Sequence, residues 1–594
     1  MTDTIPVRFS RQAAARRNHP CFLVKRRGTY QVITWQQAAD DVSALGSYLL
    51  FKQVEVGDRI LILSENRPEW GIADLAIQSV GAWTVPLYPS LMPDDLVAIG
   101  QNCRPVGAVA SSLDQVKKLL AMSSRVPSLR WVMTLDPPEQ PSGLLTPWTA
   151  ALNAGKEHAA RLEALFESRR RRLQAEDTAT LLYTSGTTWE PKGVMLSHRN
   201  LLSDVDACLR VIPVTAEDLH LSFLPLSHIF ERTAGWYLMI SAGACVAYAE
   251  SMDTIAHNMQ EIRPTVMLGV PRVFEKLYSR IQEALDHAPA LQRRIAQWAL
   301  RVGRRVIVDE TAGKSLPIGL AWQRAIADRL VYRKLRSRLG GRLRFFVSGG
   351  APLAKELGEF FYSVGVTILE GYGLTETSPV ITVNRLPHPR FGSVGQPLPG
   401  LEVRIADDGE ILTKGPHVMG GYYNNPQATA ETIVEGWFHT GDIGQLDPEG
   451  YLFITDRKKD LIKTAGGKFI APQKLENLFA TDPYIAQAFV YGDRRPYCVA
   501  LIVPQMERLR RYAQEQEIAS RSVNELIRHP RIVEFYWARV QAKQHNCASF
   551  EQIKKIALLD QEFSQASGEL TPTLKAKRAV IAQRYAPLLQ SLYE

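Results

Sequence analysis

Cysteine is scarce in this chain: six in 594 residues, at Cys21, Cys103, Cys208, Cys245, Cys498 and Cys547, with no C-x-x-C pair. Such scatter suggests neither a zinc site nor a disulfide framework, and it makes a reducing, cytoplasmic compartment the expectation. Long apolar runs are missing as well. The longest nearly uncharged apolar stretch, Tyr237 to Ala249, falls well short of the roughly 20 residues that a membrane-spanning helix needs. The opening segment, MTDTIPVRFSRQAAARRNHP, has basic residues but no apolar core and does not read as a secretory signal. Repeats and low-complexity tracts are absent. With 45% hydrophobic and 22% charged residues, long disorder is excluded too.

What the chain does have is an uneven excess of positive charge. It carries 70 Lys and Arg against 61 Asp and Glu, a net +9, yet Leu291 to Arg344 alone holds 14 basic residues against three acids, a local +11. The stretches LQRRIAQWALRVGRR and AWQRAIADRLVYRKLRSRLGG set apolar residues at helical spacing between arginines, the pattern of amphipathic basic helices. A solvated helical face gives this pattern, and so does contact with an anionic ligand or with an anionic membrane, which would place the protein peripherally on its inner face. No RNA- or DNA-binding motif accompanies the charge, so nucleic acid is not an expected partner.

Strand-like runs alternate with helical stretches over most of the chain: RILILSE, PEWGIADLAIQSVGA and WTVPLYP, and later TVMLGV, a helix and LRFFVSGG. That alternation predicts an α/β protein whose mostly parallel sheets are covered by helices. Gly and Pro cluster from Gly392 to Gly421 around short β-type pieces such as LEVRIADDGEILTKG, which predicts a β-rich subdomain closing the large region. After DRKKDLIK the pattern restarts as a small α/β unit. The expected division is a large N-terminal domain over residues 1–457 and a small C-terminal domain over 458–594.

The segment richest in chemistry is Tyr183–Gly193, YTSGTTWEPKG. Small hydroxylated residues, a glycine and a lysine after a strand make a loop whose N–H and O–H groups can wrap a polyphosphate. The GxxxxGK[ST] spacing is absent, and by composition alone the segment also fits a polar turn. Five further segments follow in order: SGGAPL (Ser348–Leu353), GYGLTETSP (Gly371–Pro379), GWFHTGD (Gly436–Asp442), DRKKDLIKTAGGK (Asp456–Lys468) and LTPTLKAKR (Leu570–Arg578). In this order and spacing the six resemble the adenylate-forming acyl-CoA synthetase superfamily over essentially the whole chain. VGDRILILSENRPEW, VPLYPSL, LPLSHIFER and GVPRVFEKLY resemble its long-chain fatty acid branch.

The resemblance implies two half-reactions: a fatty acid and Mg·ATP give acyl-AMP and pyrophosphate, and coenzyme A then displaces AMP. It implies that Thr184, Ser185, Gly186, Thr187, Thr188 and Lys192 embrace the β- and γ-phosphates, with Thr184 and Glu376 as Mg²⁺ ligands. Tyr372 and Gly373 belong to the adenine side, faced by Gly349, Gly350 and Ala351. Thr375 reaches the α-phosphate, Asp442 accepts the ribose hydroxyls and Arg457 helps to hold the ribose. Lys575, matched through the K-x-x-R spacing to Arg578, offsets charge between carboxylate and α-phosphate. His228 in LPLSHIFER positions the acyl carboxylate. Lys575, His228, Glu376 and Lys192 are thus the expected catalytic set. The resemblance further implies a C-terminal domain that rotates about Lys459 and lines the thiol channel with Gly466. A homodimer is also expected.

Two positions depart from the family pattern. The loop normally reads TSGTTGxPKG, whereas this chain has Trp189 where a glycine would let phosphate approach. Three readings stay open: a substitution introduced to impair or trap the enzyme, a natural variant of weakened activity, and a tolerated replacement with the indole turned outward. Some relatives place a gating Trp four residues after the motif His; this chain has Arg232 there, and Trp236 a turn further. Delivery of the acyl group to a carrier protein instead of CoA is the rival within the superfamily.

Overall fold

The computed structural model describes residues 3–136, 143–184, 192–311, 314–458, 460–465, 468–571 and 576–594. The apolar runs form the centres of two large sheets. Arg59–Leu63 is buried from Ile60 onward, between the parallel strands Trp83–Leu87 and Gly107–Ala110. A strand covered on both faces has no polar face to alternate, which is why RILIL reads as one run. This sheet ends in antiparallel pairs, where Thr178–Thr184 is followed by Lys192–Ser197 and then by the short strand Gly421–Tyr422. The second sheet has parallel strands Cys245–Tyr248, Leu219–Ser222, Val266–Gly269, Phe345–Ser348 and Ile368–Gly373 at its centre, and antiparallel strands at its ends.

The helices begin where their sequences say they should. Pro68, Pro93, Pro271, Pro426, Pro472 and Pro530 each occupy a first helical turn, where a missing N–H costs no hydrogen bond. Ser197 caps the helix His198–Val211 reciprocally with Asn200, at 3.1 and 2.9 Å. The Asn200 amide also donates to the carbonyls of Pro416 and Val418, tying this helix start to the β-rich region.

Helix Pro68–Ser79 is buried along its whole length and touches strands of both large sheets. Its Asp74 pairs with the guanidinium of Arg232, both fully buried. Arg232 also donates to Thr180 Oγ1 at 2.7 Å, and the Tyr237 hydroxyl donates to Asp74 Oδ2 at 2.7 Å. A buried charge persists only when paired and hydrogen-bonded in this way.

The β-rich part pairs Glu402–Ile405, Glu410–Lys414, Trp437–Leu446 and Leu452–Arg457 antiparallel in succession. Further on, Cys498–Pro504 is the central strand of a small sheet, between Ile485–Tyr491 and Ile553–Leu558. Cys498, Ala500 and Ile502 face one apolar cluster, and Val499, Leu501 and Val503 face another. The two-residue period of a strand thus serves helices on both sides. Arg272 joins this unit to the large one, donating to the Ala486 carbonyl at 2.6 Å and to Glu562 at 3.0 Å.

Candidate active site

The register of one hairpin sets the two ends of the segment YTSGTTWEPKG. Thr184 and Lys192 are direct partners across the strands Thr178–Thr184 and Lys192–Ser197, so the two ends of YTSGTTWEPKG stand side by side. Ser185, Gly186, Thr187, Thr188 and Trp189 lie outside the described residues. Lys192 Nζ sits 5.1 Å from the centre of the Tyr422 ring, and the Tyr422 hydroxyl donates to Glu376 Oε1 at 2.9 Å. Burial, and then the Glu376 charge, push the Tyr422 phenol far above its ordinary pKa, so it remains a donor. Glu376 lies on the single turn Thr375–Thr377, held by the Met419 N–H bonding the Glu376 carbonyl at 2.8 Å.

The wall expected to face the nucleotide is built from two strand ends of the second sheet. Phe345–Ser348 runs into Gly349, Gly350 and Ala351, and Gly350 has a φ of +84°, the left-handed region that favours glycine. Ile368–Gly373 brings Tyr372 and Gly373. A Cβ on Gly373 would stand 1.7 Å from the Pro379 carbonyl oxygen, so no other residue fits there without moving backbone. The Tyr372 hydroxyl donates to Asp442 Oδ2 at 2.7 Å, while Arg457 Nε lies 3.1 Å from Asp442 Oδ1. Asp442 and Arg457 are cross-strand partners, which makes their contact a product of register. An ionised carboxylate is an acceptor only, the chemistry that a ribose hydroxyl needs. Glu410 secures the turn before Asp442, accepting the Gly441 N–H at 2.8 Å, and Lys458 binds Glu410 at 3.2 Å and Asp408 at 2.6 Å.

Behind Ala351, the Glu370 carboxyl accepts the Leu353 N–H at 2.9 Å. Burial pushes this carboxyl up to about 8 from an ordinary 4.5. The folded chain therefore keeps a proton that the unfolded chain releases. The stabilisation is full below about 4.5 and is lost as pH rises to about 8. Glu370→Gln keeps the acceptor and removes the titration. Its stability is expected to match wild type below pH of about 4.5 and to exceed it above pH of about 8 by on the order of 5 kcal/mol. Melts of both proteins across that range check this, and parallel pH profiles would refute it.

One cleft is lined by every described member of the expected set: Thr184, Lys192, His228, Gly349, Gly350, Ala351, Tyr372, Gly373, Thr375, Glu376, Asp442 and Arg457. His228 Nδ1 accepts the Phe230 N–H at 3.2 Å. The cleft also takes in an apolar set absent from the motifs, including Ile212, Val214, Ala234, Leu238, Met239, Leu268 and Phe345. Arg232 and Trp236 are not on this surface. Arg232 is spent in the Asp74 pair, and the Trp236 indole is buried against Phe22 and donates to the Tyr248 hydroxyl at 3.1 Å. Neither can stand as a gate. Lys459, Gly466 and Lys575 lie outside the described residues, although Lys458, Asp460, Thr571 and Ala576 on either side line the cleft.

Tyr422 and Glu370 escaped the sequence reading. Tyr422 follows a Gly-Gly pair in a turn-rich stretch, where an aromatic carries no distinctive signal. Glu370 closes the apolar run TILE, and an acid ending a strand usually meets water.

The fold and cleft are those of an adenylate-forming enzyme, and the comparisons agree. The AMP-binding enzyme model matches residues 9–423 and the AMP-binding enzyme C-terminal domain model matches 459–594. This chain belongs to the AMP-binding enzyme family. It is 37% identical over 586 residues to the long-chain-fatty-acid–CoA ligase FadD15 of Mycobacterium bovis, covering 97% of this chain and 95% of that one. It is 33% identical to the peroxisomal long chain acyl-CoA synthetase 6 of Arabidopsis thaliana, covering 96% and 82%. Among solved structures, the adenylation domain of a Mycobacterium chelonae carboxylate reductase superposes with a TM-score of 0.76 at 23% identity, covering 100% and 91%. The anthranilate CoA ligase AuaEII bound to anthranoyl-AMP superposes at 0.73 with 18% identity, covering 100% and 98%.

Proposed function

We propose that this chain is a long-chain fatty acid–CoA ligase that forms an acyl-adenylate and passes the acyl group to coenzyme A. The observation that carries the reading is a single cleft in which the Tyr372–Asp442–Arg457 cluster and a broad apolar lining share one space with His228. Full-length relatives named as long-chain acyl-CoA ligases support the same substrates.

In this reading the fatty acid lies along Leu238, Met239, Leu268 and Phe345, and its carboxylate reaches His228. ATP places adenine between Tyr372 and the Gly349–Ala351 wall, its ribose on Asp442 and Arg457, and its outer phosphates on the loop from Thr184 to Lys192. Attack of the carboxylate oxygen on the α-phosphorus breaks the bond to the bridging oxygen, and pyrophosphate leaves. The CoA sulfur then bonds the acyl carbon, and AMP departs. Both reactants of the first step are anions, so Lys192, Thr375 and Lys575 act by supplying positive charge and donors. Thr184 and Glu376 would hold Mg²⁺, which supplies charge neutralisation on the phosphates. Their hard oxygens fit that ion, and Tyr422 leaves Glu376 Oε2 available for it. Among the described residues no cluster of three or more His, Cys, Asp or Glu forms a separate metal cage. Residues 1–457 bind both substrates, and 458–594 form the mobile domain that delivers Lys575 and, through Lys459 and Gly466, the thiol channel.

Trp189 favours a second reading, a ligase impaired at its phosphate loop, because an indole replaces the glycine that lets backbone N–H groups meet phosphate. Mass spectrometry of products from fatty acid, Mg·ATP and either CoA or a holo carrier protein tests both readings. Acyl-CoA supports the proposal, and acyl-AMP transferred only to the carrier overturns it. A silent wild type whose Trp189→Gly variant makes acyl-CoA establishes the impaired ligase.

A further inference from the structure

We propose that the outer face of the helix Ile318–Ala327, continued through Asp328–Tyr332, docks on the surface of an anionic lipid bilayer. Ile318, Trp322, Ile326 and Leu330 recur every fourth residue and are 79%, 69%, 47% and 45% exposed. They form one apolar stripe on the side away from the core. The opposite side is anchored: Leu320, Ala327 and Tyr332 are buried, and the Tyr332 hydroxyl donates to the Ala299 carbonyl at 2.6 Å. The stripe is therefore a fixed feature of a packed helix and cannot turn inward.

A merely solvated face would carry polar side chains at these four positions. Here a tryptophan and three branched aliphatics sit in water, and the charge beside them has one sign. Glu310 is engaged by Arg324 at 2.7 Å, and Asp328 by Arg336 at 2.7 Å. Among the described residues no acid pairs with the exposed Arg329, Lys334 or Arg338. A second copy of the chain would oppose this +11 segment to its own like charge, so self-association on this face is electrostatically disfavoured. An anionic bilayer meets both demands, with headgroups for the cations and an interfacial layer for the Trp322 ring and its aliphatic neighbours. No helix among the described residues is long and apolar enough to cross a membrane, so the contact is one of lying on the surface. The inference is independent of the ligase reading, because it concerns binding alone.

Flotation of the full chain with phosphatidylcholine vesicles, with and without phosphatidylglycerol, tests it directly. Wild type should float only with the anionic vesicles, and high salt should weaken binding because surface charge is screened within about 10 Å at 0.1 M. Trp322→Ser/Ile326→Ser should lower the partition coefficient roughly tenfold. Arg329→Gln/Lys334→Gln should lower it too and flatten its salt dependence, and neither pair should change the thermal melt. Failure of wild type to float, binding insensitive to salt, or variants that float like wild type would each overturn the proposal. So would sedimentation showing a dimer that Trp322→Ser/Ile326→Ser dissociates.

Discussion

Replacing Lys575 with alanine is expected to slow acyl-adenylate formation by roughly 10²–10³ while leaving thioester formation from supplied acyl-AMP largely intact. The reason is electrostatic. When a carboxylate attacks an α-phosphate, negative charge accumulates between two groups that already repel, and one ammonium placed there lowers the barrier to that step alone. Thioester formation begins from a mixed anhydride whose carboxylate charge is already gone, so the same ammonium has little to offset. Pyrophosphate release and CoA consumption, measured separately on the variant, check the split. Equal losses in both half-reactions would remove Lys575 from the chemistry. Lys577, two residues on, is the control, because its substitution should leave both rates near wild type.

The second large effect is expected at Asp442. Asp442→Ala removes the acceptor that faces Tyr372 and Arg457 at once. Hydrogen bonds to a charged acceptor contribute about 1.5–3 kcal/mol each. Two ribose hydroxyls losing that acceptor therefore predict a fall in kcat/KM for ATP of roughly 10²–10⁴. The loss should be carried largely by KM, because the ribose makes the same contacts before and during phosphoryl transfer. Asp442→Asn keeps the shape but weakens the acceptor, and should fall between the two. Kinetics with varied ATP at saturating fatty acid read the difference, and a kcat/KM for ATP within threefold of wild type would exclude Asp442 from the ribose site. Thermal melts distinguish this from a folding defect, since Arg457 is half-exposed and can regain water when its partner is lost.

Much of this protein follows from short stretches of sequence. RILIL, TVMLGV and LRFFVSGG announce buried parallel strands, because a strand covered on both faces must be apolar throughout. Helix starts follow from prolines and from the Ser197–Asn200 box, which act within a single turn. Several of the side chains that line the cleft belong to the six motifs and are named by them, since each motif is a short run of residues. Even the basic helices between Leu291 and Arg344 are visible in their periodicity.

Tertiary structure alone decided the rest. Tyr422 meets Lys192 and Glu376 because a two-residue strand pairs at the edge of a sheet formed largely by the first third of the chain. Arg232 is withdrawn from the cleft because a buried acid waits for it on Pro68–Ser79, far away in sequence. Glu370 holds its proton only because the packed sheet excludes water around it. The apolar lining beside His228 comes from scattered residues that share no motif. The exposed stripe at Trp322 differs from the buried stripe on the same helix only in what packs against it. Periodicity says that a helix has two faces; which one meets the core depends on what packs against it, here the helix Ala290–Thr311. Chain-local forces select elements and their chemistry, whereas pairing, burial and charge compensation are properties of the assembled fold.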